Sequence, residues 1–134
     1  MSTRKPRNFA DAGSRLMDFS PIDGDQVEGK WGTPVIKVLG VGGGGCNAIA
    51  RMYQNRIEGV EYFGINTDAR HLAGSDVPNR ISIGNRLTRG LGVGGDPEMG
   101  LLAAQESRDE LGEVVAKTDL LFLAVGMGGG TGTG

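Results

Sequence analysis

The chain of 134 residues carries a formal net charge of −2, contains 25 glycines and has one cysteine. Its length suits one domain, and its slightly acidic balance excludes a protein that binds nucleic acid or an anionic membrane mainly through charge. A single cysteine excludes an internal disulfide, and without a membrane-spanning segment or secretory signal we expect a cytoplasmic protein with no direct membrane insertion.

Residues 1–34 are polar, mixed in charge and without a sustained hydrophobic period. We expect a disordered N-terminal extension here, with Trp31 packed against the edge of the domain that follows. The pattern changes at residues 35–39, a short β-branched run that ends at a glycine, as a buried parallel strand does. The folded domain is therefore predicted to occupy residues 35–134.

Helical and extended patterns then alternate along the chain. Residues 46–57 have apolar side chains at helical spacing, residues 60–65 predict a second strand, and residues 80–83 predict a weaker third. Residues 120–125 form the most hydrophobic predicted strand. This alternation predicts an α/β fold with three layers and a mostly parallel, Rossmann-like sheet.

A long helix is predicted before the last strand. Asp96 is a good cap for its start, Pro97 suits its first turn, and Gly112 is its weak point. We expect the helix to run to about Lys117. Its predicted core-facing residues are Leu101, Ala104, Leu111, Val114 and Val115.

Glycines gather in three clusters, near residues 40–45, 84–100 and 126–134, each beside an apolar segment. Ligands of a parallel sheet bind beyond the carboxyl ends of its strands, and all three clusters are predicted at that edge. The run at residues 42–45 opens a predicted helix, where the helix dipole and unobstructed backbone N–H groups favour phosphate. The sequence therefore predicts a phosphate-binding edge in preference to a simple tight turn.

Two known phosphate motifs compete for the first cluster. The Walker loop ends in Gly-Lys-Ser/Thr, and no lysine lies near Gly45. The dinucleotide fingerprint G-x-G-x-x-G fits Gly40, Gly42 and Gly45, with Asp68 near the place of an acidic ribose ligand. The dinucleotide-binding domain of an oxidoreductase therefore stays open as an alternative, although it leaves the other two clusters unexplained.

The last cluster is GGGTGTG at residues 128–134, and it closely resembles the signature loop of the tubulin/FtsZ family of GTPases. Residues 40–47, 66–68, 90–98 and 126–134 follow the order of that family's motifs, and the resemblance extends over residues 36–134. The details resemble the bacterial cell-division branch more than eukaryotic tubulin. The resemblance implies a GTPase whose parent protein polymerises head to tail into the cytokinetic Z ring at midcell.

The resemblance also implies which residues hold the guanine nucleotide, GTP or GDP, with its Mg²⁺. They are Gly43, Gly44, Gly45 and Asn47 in the first loop, Asn66, Thr67 and Asp68 after the second strand, Gly94, Gly95 and Asp96 in the second cluster, and Gly128, Gly129, Gly130, Thr131, Gly132 and Thr133 in the signature loop. The second group would lie beside the phosphates and the metal, although no metal ligand is assigned. The third would sense the γ-phosphate, and the fourth would wrap the α- and β-phosphates.

The chain ends inside the signature loop, and the family's guanine-reading residues and second domain lie beyond that point. The resemblance implies that acidic residues of a neighbouring subunit complete hydrolysis, so we expect a fragment with no catalytic residue of its own. Its parent protein would meet membrane tethers and regulators at the division site. A non-catalytic module that caps filaments is a third interpretation.

Several residues near the clusters have both a chemical and a plain interpretation. Cys46 is expected to be a small filler rather than a reactive thiol, and His71, the one histidine, is expected at the surface. Arg86 and Arg89 are expected to be solvated loop charges rather than phosphate ligands. Asp96 stands where the family often has asparagine, and its carboxylate would repel a γ-phosphate unless it is occupied as a helix cap.

Overall fold

A computed structural model describes residues 32–134, of which residues 34–134 form one compact unit. The predicted N-terminal extension, as far as Trp31, and the predicted packing of that tryptophan lie outside the described residues. Within the described part, no helix combines the length and the apolar character needed to cross a membrane.

Strands and helices alternate through the described residues, as the hydrophobic pattern predicts. The strands are β1 (Ile36–Val41), β2 (Val60–Asn66), β3 (Asn79–Ser82) and β4 (Leu120–Val125). The helices are α1 (Gly42–Gln54), α2 (Ala69–Ala73), α3 (Asn85–Thr88), α4 (Pro97–Glu106) and α5 (Arg108–Val115).

The four strands form one parallel sheet in the order β3-β2-β1-β4. In the register of β1, Ile36 lies opposite Val60 of β2 on one side and opposite Leu120 of β4 on the other. The chain therefore builds the sheet outward from β1 in one direction and then reverses, so that a switch point lies between β1 and β4. Ligands of open α/β sheets bind in the crevice beyond the strand ends at such a point.

Side chains alternate along each strand, so the two faces of the sheet bury different hydrophobic clusters. On one face, Val38 and Tyr62 pack with Ile49 of α1. On the other face, Leu39 belongs to a cluster that includes Ala103 of α4. Helices therefore cover both faces, and the predicted three-layer α/β fold is confirmed.

The long helix predicted to reach Lys117 is interrupted once and ends two residues early. α4 and α5 are separated at Ser107, whereas Gly112, the predicted weak point, lies inside α5. The Ser107 hydroxyl accepts a hydrogen bond from the Gly84 N–H at 3.1 Å. This contact ties the break between the two helices to the loop that begins α3.

The predicted core face of this helix is partly wrong. Leu101 and Val115 are 46% and 40% exposed, whereas Ala103, which was not predicted, is fully buried. The predicted residues that do pack against the core of that face are Ala104, Leu111 and Val114.

Candidate functional site

The first glycine cluster forms the first turn of α1 instead of a separate loop before it. α1 begins at Gly42, directly after β1, and not at Cys46 as the hydrophobic pattern suggests. Its N-cap residue, Val41, makes no side-chain capping hydrogen bond, and the first turn carries no acidic residue. The helix therefore presents N–H groups without internal partners, together with the positive end of its dipole, to the switch point of the sheet.

Two other helices near this edge are capped by their own side chains. At the start of α2, Asp68 Oδ1 accepts from the N–H groups of Arg70 at 3.0 Å and His71 at 3.1 Å. At the start of α4, Asp96 Oδ1 accepts from the N–H of Glu98 at 3.0 Å. These carboxylates satisfy the donors that a ligand would otherwise use. The first turn of α1 is therefore the helix end best able to receive an anion.

A cleft of about 500 Å³ opens at this edge, and all three glycine clusters line it together with the end of β2. Most of the predicted site residues are in its lining: Gly43, Gly44, Asn66, Thr67, Asp68, Gly94, Gly95, Gly129, Gly130, Thr131 and Gly132. Lining residues that were not predicted individually, apart from His71, all belong to or adjoin the clusters: Gly42, Leu91, Gly92, Val93, Gly126 and Met127. A larger hollow of about 690 Å³, beside the turn from α1 to β2, contains none of the predicted site residues.

Two predicted site residues have a place in the packing of the fold instead of in the lining of the cleft. Gly45 is buried where α1 packs on the sheet, and a Cβ there would overlap the carbonyl oxygen of Ala124. Asp96 is exposed and caps α4. Neither residue is in the lining of the cleft.

The three remaining predicted residues lie beside the cleft. The Gly128 N–H donates to Thr133 Oγ1 at 2.9 Å and so closes a turn within the signature loop. Asn47 is exposed on α1, and its Oδ1 lies 3.1 Å from His71 Nε2.

The loops around the cleft contact one another through their backbones. Gly42 has a φ of +75°, and a Cβ at this position would lie 3.0 Å from the backbone nitrogen of Gly132 in the signature loop. The second cluster is joined to the end of β2, because the Gly92 N–H donates to the Thr67 carbonyl at 3.2 Å. The absence of side chains at these contacts lets the loops approach closely enough to share one cleft.

Two threonine hydroxyls connect the end of β2 to the signature loop. Thr67 Oγ1 lies 2.8 Å from Thr131 Oγ1, and either hydroxyl can donate. Thr67 is 1% exposed, so its hydroxyl depends on this partner. When Thr67 donates, Thr131 keeps its own proton for an acceptor in the cleft.

Among the described residues, the lining of the cleft includes the carboxylate of Asp68 but no lysine or arginine. Arg86 and Arg89 are exposed and outside the lining, as expected for solvated charges. Within residues 32–134, no group of three or more His, Cys, Asp or Glu side chains could hold a metal ion.

Cys46 is buried in the second turn of α1 and contacts two backbone carbonyls. Its Sγ lies 3.4 Å from the oxygen of Ile65 and 3.6 Å from that of Gly40. Burial raises the pKa of the Cys46 thiol. A raised thiol pKa means less thiolate and lower reactivity, so the structure favours the packing role.

His71 is not the surface residue that the sequence predicts. It is partly buried, lines the cleft and contacts Asn47 and Asn66 through its two ring nitrogens. Its partners lie on α1 and at the end of β2, and no local pattern around His71 indicates that these residues meet it in the folded sheet.

Two substitutions at Asp96, the cap of α4, distinguish the contribution of its hydrogen bonds to stability from that of its charge. We expect Asp96→Ala to lower the free energy of unfolding by about 1 kcal/mol, since Ala removes the acceptor for the first-turn N–H groups. Asp96→Asn should stay within about 0.5 kcal/mol of the original protein, because asparagine caps as well as aspartate. Urea denaturation measures both variants, and an equal loss in the two would show that the charge of Asp96 matters more than its hydrogen bonds.

Comparison with known proteins gives the family to which this cleft corresponds. The family model described as "Tubulin/FtsZ family, GTPase domain" matches residues 35–134. The cell division protein FtsZ of Aquifex aeolicus (strain VF5) is 57% identical over 99 residues, which are 74% of this chain and 27% of that protein. The cell division protein FtsZ of Neisseria meningitidis (strain MC58) is 50% identical over 110 residues, 82% of this chain and 28% of its own.

Solved structures agree with the sequence comparison. An empty FtsZ dimer from M. jannaschii matches 86% of this chain and 34% of its own, with a TM-score of 0.75 and 43% identity. A protofilament of CetZ2 from Haloferax volcanii with bound GTPγS matches 73% of this chain and 32% of its own, with a TM-score of 0.62 and 26% identity. These matches confirm the predicted family and fold, and they give no support to the oxidoreductase alternative. The chain spans about a quarter of the length of the curated relatives.

Proposed function

The chain belongs to the Tubulin/FtsZ family, and we propose that its cleft binds the phosphates of GTP and GDP as part of a filament-forming cell-division GTPase. The observation that carries this proposal is the uncapped first turn of α1, which begins in a glycine run and meets the signature loop across the cleft. Free N–H groups at a helix N-terminus bind phosphate through hydrogen bonds and the helix dipole.

The chemistry of the lining supports phosphate as the ligand even without a cationic side chain. Gly43 and Gly129 have open space where a side chain would be, so phosphate oxygens can approach their backbone. Thr131 adds a hydroxyl from the signature loop. Successive backbone N–H groups in such loops form anion-binding concavities, and bound Mg²⁺ would offset the remaining phosphate charge.

Each group of predicted residues receives a proposed role in this arrangement. The first turn of α1 and the signature loop would wrap the α- and β-phosphates. The edge formed by Gly94 and Gly95 would meet the γ-phosphate, and Asp96 would act on it only through the position of α4. The segment of Asn66, Thr67 and Asp68 would lie beside the phosphates. No residue of the chain is proposed as a metal ligand.

Hydrolysis would need groups from outside this chain. The carboxylate in the lining, Asp68, is engaged by two N–H groups at the start of α2, which makes it a poor base for activating water. We propose that acidic residues of a neighbouring subunit complete the site when copies associate head to tail. The dimer and protofilament forms of the similar structures support such self-association.

The same family membership supports a cellular role. We propose that the whole protein builds the Z ring at the midcell division site in the cytoplasm and is attached there by membrane tethers and regulators. Residues 35–134 would be the front part of its nucleotide-binding domain, and residues 1–34 an extension outside it.

The test is equilibrium binding of a fluorescent GTP analogue with Mg²⁺, with separate competition by GTP, ATP and NAD. We expect GTP to displace the analogue and NAD to leave it bound, and we expect chelation of Mg²⁺ to weaken triphosphate binding. Displacement by NAD and not by GTP would overturn the proposal, because it would indicate the dinucleotide-binding site of an oxidoreductase.

A further inference from the structure

We propose that His71 is a positioning residue that fixes the side chain of Asn47, so that Asn47 meets the nucleotide as a hydrogen-bond donor. The proposal rests on the proposed nucleotide-binding function of the cleft. His71 lines that cleft and also lines an adjoining cavity of about 310 Å³, to which Asn47 contributes. The histidine thus stands at the boundary between the phosphate region and the space beside it.

The direction of the Asn66 amide determines which ring nitrogen of His71 carries the proton. Asn66 Oδ1 accepts from the N–H groups of Thr67 at 2.9 Å and Asp68 at 3.4 Å. Its Nδ2 is therefore the atom directed at the ring, 3.4 Å from His71 Nδ1. Since an amide nitrogen only donates, Nδ1 must accept and carries no hydrogen.

The neutral ring consequently holds its proton on Nε2. Asn47 Oδ1 lies 3.1 Å from that nitrogen and accepts the proton's hydrogen bond. With its oxygen engaged, Asn47 offers the two hydrogens of Nδ2 to a ligand. The side chain would therefore bind an acceptor atom on the sugar or base of the nucleotide.

These hydrogen bonds join α1 to the end of β2 through a residue of α2. Asn47 lies on α1 and Asn66 ends β2, and His71 on α2 holds both. Without the ring, the Asn47 amide is free to rotate, and it loses the advantage of being oriented before the ligand arrives. Within the described residues, the charged groups that share the adjoining cavity, Arg70 and Asp76, form no hydrogen bond with either ring nitrogen.

Three substitutions separate the two ring contacts. His71→Gln places a donor near the position of Nε2 and keeps the contact with Asn47, whereas His71→Asn places an acceptor near Nδ1 and keeps only the contact with Asn66. His71→Ala removes both. We expect Asn and Ala to weaken GTP binding about fivefold, the equivalent of one neutral hydrogen bond, and Gln to restore most of that loss.

The measurement is the Kd for the fluorescent GTP analogue in each variant, repeated in an Asn47→Ala background. In that background we expect the His71 substitutions to have no further effect, because the residue through which they act is gone. A merely structural role would instead lower affinity to the same degree with or without Asn47. Restoration by Asn and not by Gln would also overturn the proposal.

A second measurement does not depend on nucleotide. Long-range ¹H–¹⁵N correlation spectra of the imidazole should give the pattern of the neutral Nε2–H form. The Nδ1–H form would overturn the proposed contact. If the original protein failed to bind GTP while the ring showed the Nε2–H form, the proposed nucleotide-binding function would be wrong. The hydrogen bonds assigned to His71 would still be correct.

Discussion

Gly45→Ala is expected to lower the free energy of unfolding by about 3 kcal/mol, the upper end of the usual cost of overpacking. A Cβ at this position would overlap the Ala124 carbonyl oxygen of β4 and approach the backbone of Gly40 in β1. These neighbours are backbone atoms of two paired strands, so they cannot move aside as a flexible side chain would. Urea denaturation measures the change.

The matched control lies two residues earlier in the same helical turn. A Cβ at Gly43 would meet no atom within 4 Å, so Gly43→Ala should leave stability unchanged or raise it by up to about 1 kcal/mol through helix propensity. The added methyl group enters the cleft, however, and should weaken GTP binding at least about tenfold by displacing a phosphate from charged hydrogen bonds. Equal destabilisation by the two substitutions, or unchanged nucleotide affinity in Gly43→Ala, would contradict this division of roles.

This pair shows what the sequence could and could not predict about the site. Four consecutive glycines at residues 42–45 predict a close approach of backbone, and the structure contains two such approaches on opposite sides of one helical turn. One side meets the cleft and the other meets the sheet. A run of identical residues contains no periodicity from which to tell the two sides apart. The family resemblance implies a ligand contact for Gly45, whereas the structure packs it against the sheet.

The same physics explains the wrong core face of α4. The predicted core face includes Leu101, which is exposed, and omits Ala103, which is buried. The helix instead packs through its small residues, because a Cβ at Gly100 would lie 2.5 Å from the Gly130 carbonyl oxygen of the signature loop. Where a helix lies against a loop backbone, small size selects the buried face and hydrophobicity misleads.

Patterns of residues adjacent in sequence, by contrast, predicted the elements whose formation depends on those residues alone. The strand runs predicted four strands in the observed places, and the Asp96-Pro97 pair predicted the start of α4. The contacts of His71 depend on residues from α1 and β2 that meet only in the folded sheet. Nothing in the residues beside His71 specifies them, and the order of the strands in the sheet was equally beyond local patterns.

Thr131→Val is expected to weaken GTP binding about tenfold or more, which corresponds to one hydrogen bond to a charged group. The substitution keeps the shape of the side chain and removes the hydroxyl that lines the cleft. It also leaves the buried Thr67 hydroxyl without its partner, which should cost about 1–3 kcal/mol of stability. Thr118→Val, outside the lining of the cleft, is the control for a general effect of this substitution.

The companion variants test whether Thr67 acts through Thr131. Thr67→Val should weaken GTP binding less, about fivefold, because it removes the partner that directs the Thr131 hydroxyl and not the hydroxyl itself. In the double variant both members of the buried pair are apolar, so the stability lost in Thr131→Val should largely return, since no donor is left unpaired. Nucleotide affinity should stay at the level of Thr131→Val, with a coupling energy of at least about 0.5 kcal/mol between the two positions. Independent, additive losses in both stability and affinity would mean that the 2.8 Å contact does not connect the strand end to the signature loop.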